Sequence, residues 1–126
     1  MITEDYVSFE LAKLLKEKGF DELCGKKYNG YKSIVPAGKV IELWQNSEFD
    51  TDEECSAPTL QMTMKWLRLK HKAFISITYE NDGVFTANLK VPSKEVDCMI
   101  DNKHNCWFTY EEAAEAAIKY CLENVI

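Results

Sequence analysis

Residues 56–72, SAPTLQMTMKWLRLKHK, carry a helical pattern that is apolar on two opposite sides. At about 100° per residue, one apolar group falls on one side of the helix and a second group lies nearly opposite. The first group is Leu60, Met64 and Leu67, and the second is Met62, Trp66 and Leu69. The polar positions share one narrow stripe, called here the basic strip: Gln61, Lys65, Arg68 and Lys72. The pattern predicts a helix that is buried on both sides and offers only this strip to solvent or to a partner.

A helix is also predicted near the start of the chain, from about Ser8 to Lys18, because its leucines share one face. Gly19 supplies the left-handed residue that ends a helix, and Phe20 is placed to fold back on Leu15 in a Schellman cap.

The last helix is predicted to begin after a capping box made by Thr109 and Glu112, with Phe108 packing on Ala113 as a hydrophobic staple. Its apolar face is made mostly of small side chains, which favours close packing against a sheet. These residues are Ala113, Ala114, Ala117, Ile118, Cys121 and Val125.

Between the first two helices the signals are mixed. Two short runs typical of strands, Tyr28 to Val35 and Lys39 to Trp44, predict a hairpin that turns at residues 35–38, VPAG. The polar segment Gln45 to Cys55 is expected to form a surface loop. Ser56 is expected to cap the central helix, with Pro58 in its first turn.

The clearest strand signal follows the central helix, in Phe74 to Tyr79 and Val84 to Val91. A two-residue turn between these runs would mix apolar and polar side chains on one face. A three-residue loop with Gly83 in the left-handed bulge position instead gives a continuous apolar face, and is preferred. Its pairs are Ile75 with Leu89, Ile77 with Ala87 and Tyr79 with Phe85. Pro92 is expected to end the second strand, and Glu95 to Ile100 to form a further short one.

These elements predict an α+β fold in one domain spanning residues 1–126, with three helices packed with antiparallel β-hairpins in the order α-β-β-α-β-β-(β)-α. The net charge of −6 works against binding to nucleic acid. No apolar run approaches the roughly 20 residues that span a bilayer, so we expect no membrane partner and a cytoplasmic protein. The five cysteines are expected to be reduced thiols.

Three segments resemble a family of short uncharacterised proteins encoded by phages and prophages of gut Bacteroidetes. They are APTLQMTMKWLRLKHKAFISITYE at 57–80, FTYEEAAEAAIKYCLENVI at 108–126, and the opening VSFELAKLLKEKGFDE at 7–22. Members of that family typically have an acid two residues after the Arg of the WLR motif, where this chain has Lys70. The resemblance implies a phage or prophage setting, with the host cytosol as compartment. It implies no catalytic residues.

Catalytic and metal chemistry have weak support in the sequence. Cys98, His104 and Cys106 offer the donor atoms that zinc favours, but their spacing is not that of a known finger, and a fourth ligand would have to come from elsewhere. A Cys106 nucleophile with His104 as base lacks a residue that would orient the base. His71 is expected to be a structural histidine or a helix C-terminal charge. No catalytic residue, metal or cofactor is therefore predicted.

Two charged segments remain. The acidic run Asp50, Asp52, Glu53 and Glu54 departs from a calcium loop and is interpreted as a solvated loop. The basic strip is the preferred candidate for binding an anion or an acidic partner surface.

Three functional hypotheses follow. The first is a non-enzymatic accessory protein of a phage or mobile element that binds a host or phage protein, or a second copy of itself. The second is a binder of a small anionic ligand such as a nucleotide signal. The third, ranked last, is a small metal-dependent enzyme with cysteine and histidine ligands.

Overall fold

Three α-helices and six β-strands form within residues 2–38, 42–101 and 106–126, which are the residues described by the computed structural model. The helices are α1 (Phe9–Glu17), α2 (Leu60–His71) and α3 (Tyr110–Asn124). The strands are β1 (Lys26–Tyr28), β2 (Ile34–Pro36), β3 (Cys55–Ser56), β4 (Phe74–Tyr79), β5 (Phe85–Val91) and β6 (Val96–Met99). The predicted α+β class is confirmed, with one more short strand, β3, than the predicted order contains.

The chain forms two compact units, residues 1–59 and residues 60–126. Each unit contains one antiparallel three-stranded sheet within its described residues. The strand order is β2-β1-β3 in the first unit and β4-β5-β6 in the second.

Helix α1 begins and ends as its sequence predicts. The Ser8 hydroxyl accepts a hydrogen bond from the Leu11 N–H at 3.2 Å, which satisfies one of the free donors of the first turn. At the other end, Gly19 has a φ of +91°. The Phe20 N–H donates to the Leu15 carbonyl at 2.9 Å and the Gly19 N–H to the Lys16 carbonyl at 3.2 Å, which completes the Schellman cap.

The predicted position of the turn in the first hairpin is wrong. β1 pairs with β2, so the chain reverses at residues 29–33, and Val35 and Pro36 lie inside a strand. The turn is held by Asn29, whose side-chain oxygen accepts hydrogen bonds from the N–H groups of Tyr31 at 2.9 Å and Ser33 at 3.1 Å. An asparagine that bonds to the backbone ahead of it nucleates a turn, and here this signal outweighed Pro36 and Gly38. Residues 39–41 of the predicted second strand lie outside the described residues.

The predicted start of the central helix is also wrong, because the chain stays extended past Ser56. Residues Cys55–Ser56 pair with β1, and the Pro58 carbonyl accepts a hydrogen bond from the Val7 N–H at 3.0 Å. Helix α2 therefore begins only at Leu60, and Ser56 does not cap it.

Helix α2 is buried on the first of its two predicted apolar sides and on part of the second. Leu60, Met64 and Leu67 are at most 4% exposed, and Trp66 on the opposite side is 6% exposed. Leu69, which the pattern predicts to be buried with Trp66, is 64% exposed. It lies in the last turn before the chain reverses at Lys72, whose φ is +52°, so the second side is buried only around Trp66.

The β4–β5 hairpin has the predicted register, with Ile75 opposite Leu89, Ile77 opposite Ala87 and Tyr79 opposite Phe85. The Glu80 N–H donates to the Val84 carbonyl at 2.8 Å and closes a three-residue loop. Gly83 has a φ of +77°, as the bulge position requires. β6 pairs with the other edge of β5, which ends where Pro92 begins a 3₁₀ turn.

Helix α3 is capped by Thr109, whose hydroxyl accepts a hydrogen bond from the Glu112 N–H at 3.1 Å. The same hydroxyl lies 3.1 Å from the Glu112 carboxylate, to which it donates. The predicted hydrophobic staple is wrong, because Phe108 is 74% exposed whereas Ala113 is fully buried. The small apolar face of α3 packs on β4 and β5 as predicted.

Candidate interaction surface

The basic strip keeps three of its four predicted members on one exposed side of α2. Gln61, Lys65 and Arg68 are all exposed and lie three or four residues apart, so they follow one face of the helix. Lys72 lies beyond the end of the helix, and its Nζ donates to the Leu69 carbonyl at 3.4 Å. The strip thus consists of two adjacent cationic side chains with Gln61 at one end. Binding of a small anion by these side chains stays a prediction.

Gln61 connects the strip to a group of aromatic rings. Its Nε2 lies 3.1 Å from the Tyr110 hydroxyl at the start of α3, to which it donates. The Tyr110 ring meets Phe85 edge to face at 6.3 Å between centroids, and Phe85 meets Tyr79 in the same way at 5.4 Å. We call Tyr79, Phe85 and Tyr110 the aromatic cluster. Edge-to-face pairs of this kind fix the orientation of each ring.

Phe108 precedes Tyr110 of this cluster by two residues, in the chain segment that leads into α3. The neighbouring Trp107 exchanges two backbone hydrogen bonds with Phe85, at 2.7 and 2.8 Å, which fixes the segment against β5. The Phe108 side chain is nevertheless 74% exposed, and Tyr79 in the cluster is 62% exposed. Large aromatic side chains held at the surface by an ordered backbone are typical anchors of protein interfaces.

The aromatic side of this surface was not predicted from the sequence, which placed Phe108 in a staple and Tyr79 on the sheet face. Four other aromatic side chains differ in how far they are exposed, namely Tyr28, Tyr31, Trp44 and Phe74. Of these, Tyr31 is 90% exposed and Phe74 41% exposed. Tyr28 and Trp44 are half-buried, and their rings pack within the first unit, against Phe9 at 5.6 Å and against Phe49 at 5.9 Å.

The five cysteines divide into two groups. Cys24, Cys55 and Cys121 are buried, and this burial raises the pKa of each thiol to about 11. These three thiols are therefore protonated near neutral pH, which removes the nucleophilic form. Cys98 and Cys106 are half-buried. The Cys98 thiol lies beside the Tyr120 hydroxyl and is the main reason that the pKa of Tyr120 is raised.

The weak zinc candidates Cys98, His104 and Cys106, and the alternative of a Cys106 nucleophile with His104 as base, all depend on His104, which lies outside the described residues. Within residues 2–38, 42–101 and 106–126, no three His, Cys, Asp or Glu side chains come together in a way that could hold a metal ion.

His71, at the end of α2, contacts the Trp66 ring edge to face at 4.9 Å between centroids. Burial lowers the pKa of His71, and the nearby charges of Lys94 and Lys70 lower it further. The folded chain therefore favours the neutral imidazole of His71 over the protonated form, compared with an ordinary histidine.

The acidic run is tied to the first unit by two lysines. Glu54 forms an ion pair with Lys27, and its hydrogen bond to that lysine is the main reason that the pKa of Glu54 is lowered. From α1, the Lys16 Nζ donates to the carbonyls of Thr51 at 3.1 Å and of Glu54 at 2.7 Å. These contacts give the acidic run a structural role, because they hold the loop to α1 and β1.

A shallow cleft of about 330 Å³ lies in the first unit beside the end of α1. Its polar groups bond to neighbouring parts of the same unit. The Asp21 carboxylate accepts from the Ser47 N–H at 2.7 Å, and the Asn46 side chain donates to the Phe20 carbonyl at 2.6 Å and accepts from the Ser56 N–H at 2.8 Å. These polar atoms of the cleft are therefore already hydrogen-bonded within the first unit.

No protein-family model, curated protein or solved structure matches this chain. Among the described residues, none of the helices has both the length and the apolar character needed to cross a bilayer.

Proposed function

We propose that this chain is a non-enzymatic accessory protein of a phage or other mobile element, and that it acts by binding another protein in the host cytosol. The phage setting is supported by the resemblance of the central, closing and opening segments. The binding role is supported by one observation, the hydrogen bond from Gln61 to Tyr110 that joins the basic strip to the aromatic cluster.

The aromatic part of this surface supplies affinity. Phe108 and Tyr79 are more than half exposed, so a partner that covers them removes a large apolar area from water. Ordered backbone on both sides of Phe108, in the Trp107 bridge and in the α3 cap, reduces the entropy that is lost on binding.

The charged part of this surface orients the partner as it binds. Lys65 and Arg68 are exposed side chains on the same helix as Gln61, in a chain whose net charge is −6. A local cationic face on an acidic protein favours an acidic patch on the partner and steers the encounter.

The proposal is tested by capture of partners from a lysate of a gut Bacteroidetes strain, with wild-type protein and two surface variants as bait. Phe108→Ala removes the exposed ring, and Lys65→Glu/Arg68→Glu reverses the charge of the strip. A partner that uses this surface should be recovered with wild type and lost with both variants. An interface anchor of this kind is worth about 2 kcal/mol, or roughly a 30-fold loss of affinity for Phe108→Ala.

Lys90→Glu/Lys119→Glu is the matched control, because it makes the same change of charge at two exposed positions away from α2. It should recover the partner as wild type does. Equal recovery of every partner by wild type and by both surface variants would refute this surface as the binding site.

A further inference from the structure

Among residues 2–38, 42–101 and 106–126, one backbone edge of strand β4 has no partner strand. The Glu80 N–H donates to the Val84 carbonyl across the β4–β5 hairpin, so Glu80 and Val84 form a hydrogen-bonded pair. Along an antiparallel ladder, hydrogen-bonded pairs alternate with pairs whose backbone groups point away from the partner strand. The backbone groups of Ile75, Ile77 and Tyr79 therefore point away from β5. Within the part of the chain that the structure describes, no backbone hydrogen bond reaches these groups.

Side-chain burial agrees with an open edge. Ile75 and Ile77 face the same helix-covered side of the sheet as Ala87 and Leu89 on the neighbouring strand. Ala87 and Leu89 are fully buried, but Ile75 and Ile77 are only half-buried. The covering on this face is thus incomplete along β4.

Strand β4 also lacks the features that keep exposed edges from pairing. Its sequence, FISITY, has no charged residue and no proline over six residues. The other outer strand of the same sheet, β6, has four residues and includes Asp97. In the first unit, the outer strand β2 has three residues and includes Pro36.

We propose that β4 pairs with β4 of a second copy of this chain, antiparallel and around a two-fold axis at Ile77, to give a continuous six-stranded sheet. The proposal does not depend on the function proposed above. In this register Ile77 faces Ile77 of the second copy, and Ile75 faces Tyr79 of the second copy. The pair of Ile75 with Tyr79 occurs twice because of the two-fold symmetry, so there are three pairs. Each pair exchanges two hydrogen bonds, and about six bonds therefore satisfy every outward backbone group of the two strands.

Charge favours this antiparallel arrangement. The chain just before β4 is basic, with Lys70 and Lys72, and the chain just after it is acidic, with Glu80 and Asp82. Antiparallel pairing brings the basic end of each strand next to the acidic end of the other. Parallel pairing would bring like charges together, which destabilises cross-strand neighbours.

The register also identifies the positions for a test. Ser76 and Thr78 are exposed on the face of the sheet opposite the helices, and each would lie directly across from the other in the second copy. Side chains in such pairs have Cβ atoms about 4.5–5.5 Å apart, so like charges there destabilise the pairing and opposite charges stabilise it.

The test compares molecular masses by light scattering coupled to size-exclusion chromatography, with far-UV circular dichroism as a check on folding. Wild type should have twice the mass of one chain. Ser76→Lys/Thr78→Lys puts two lysine pairs across the axis and should give the mass of one chain. Ser76→Lys/Thr78→Glu puts a lysine opposite a glutamate twice and should restore the doubled mass.

A wild type of single-chain mass at its highest soluble concentration would overturn the proposal, as would a Lys/Lys variant that stays dimeric. Loss of the dimer in both double variants would overturn the antiparallel register. If the Lys/Lys variant does not fold, amide hydrogen exchange of wild type decides. The amides of Ile75, Ile77 and Tyr79 should exchange more slowly as protein concentration rises, and exchange that is fast at every concentration would refute the pairing.

Discussion

Replacing Trp66 by alanine tests whether the second side of α2 is buried in solution. Trp66 is 6% exposed, and it lies on the same side of the helix as Leu69, which is 64% exposed. The sequence pattern predicts that both side chains are buried, whereas in the structure only Trp66 is buried. Leu69→Ala is therefore the matched control for Trp66→Ala.

The expected cost follows from the area that the indole buries. An aromatic side chain of this size buries about 150–250 Å², which at about 25 cal/mol per Å² gives about 4–6 kcal/mol as an upper value. Measured replacements of buried aromatic residues by alanine cost about 3–5 kcal/mol. We expect Trp66→Ala to lower the free energy of unfolding by about 4 kcal/mol. Leu69→Ala should change it by no more than about 0.5 kcal/mol.

Urea unfolding followed by far-UV circular dichroism measures both variants, because the signal does not depend on the tryptophan that is removed. A thermal melt should show the same order. For a chain of this length about 1 kcal/mol corresponds to about 4 °C, so Trp66→Ala should melt roughly 15 °C below wild type. If the two variants lie within about 1 kcal/mol of each other, Trp66 is not buried as described and the two-sided burial of α2 is wrong.

Three further predictions concern a cap, a histidine and the thiols. Thr109→Ala should destabilise the chain by about 1 kcal/mol in urea unfolding, because the Glu112 N–H loses its acceptor, and Thr109→Ser should retain most of that stability. Because the folded chain lowers the pKa of His71 below its ordinary value of 6.5, the unfolded chain binds more protons as the pH falls through 6.5 towards the folded pKa. The free energy of unfolding should therefore decrease in that window and depend less on pH in His71→Gln, whereas an NMR titration giving His71 a pKa above 6.5 would contradict this. In the folded protein, iodoacetamide followed by mass spectrometry should label the half-buried cysteines before the three whose burial raises the pKa to about 11, and the reverse order would contradict their burial. The slow group is Cys24, Cys55 and Cys121.

The features that the sequence predicted correctly are those set by neighbouring residues. Gly19 and Phe20 end α1 through hydrogen bonds to the helix itself, and Thr109 caps α3 through the Glu112 N–H three residues away. The register of β4 and β5 follows from a short loop and from the need to keep one face apolar. In each case the deciding interaction lies within one hairpin or one helix end.

The features that the sequence pattern did not predict depend on residues distant in the chain. Ser56 is extended because β1 and the Asn46 side chain bind its backbone, and Asn46 is ten residues away. Phe108 is exposed although its sequence position suits a staple, because the segment is held by backbone bonds between Trp107 and Phe85. The aromatic half of the candidate surface is formed by such a long-range contact, and a pattern read along the chain does not contain it.

The two hydrogen bonds from Lys16 to the acidic loop lie on either side of its exposed tip. Lys16 bonds to the carbonyls of Thr51 and Glu54, and Asp52 and Glu53 between them are exposed. Lengthening an exposed tip costs little, about 0.6 kcal/mol for each doubling of the loop. A peptide tag or a fluorescent reporter inserted between Asp52 and Glu53 would leave both anchors in place, and thus provides a labelling position that spares α2, β4 and the surface around Phe108.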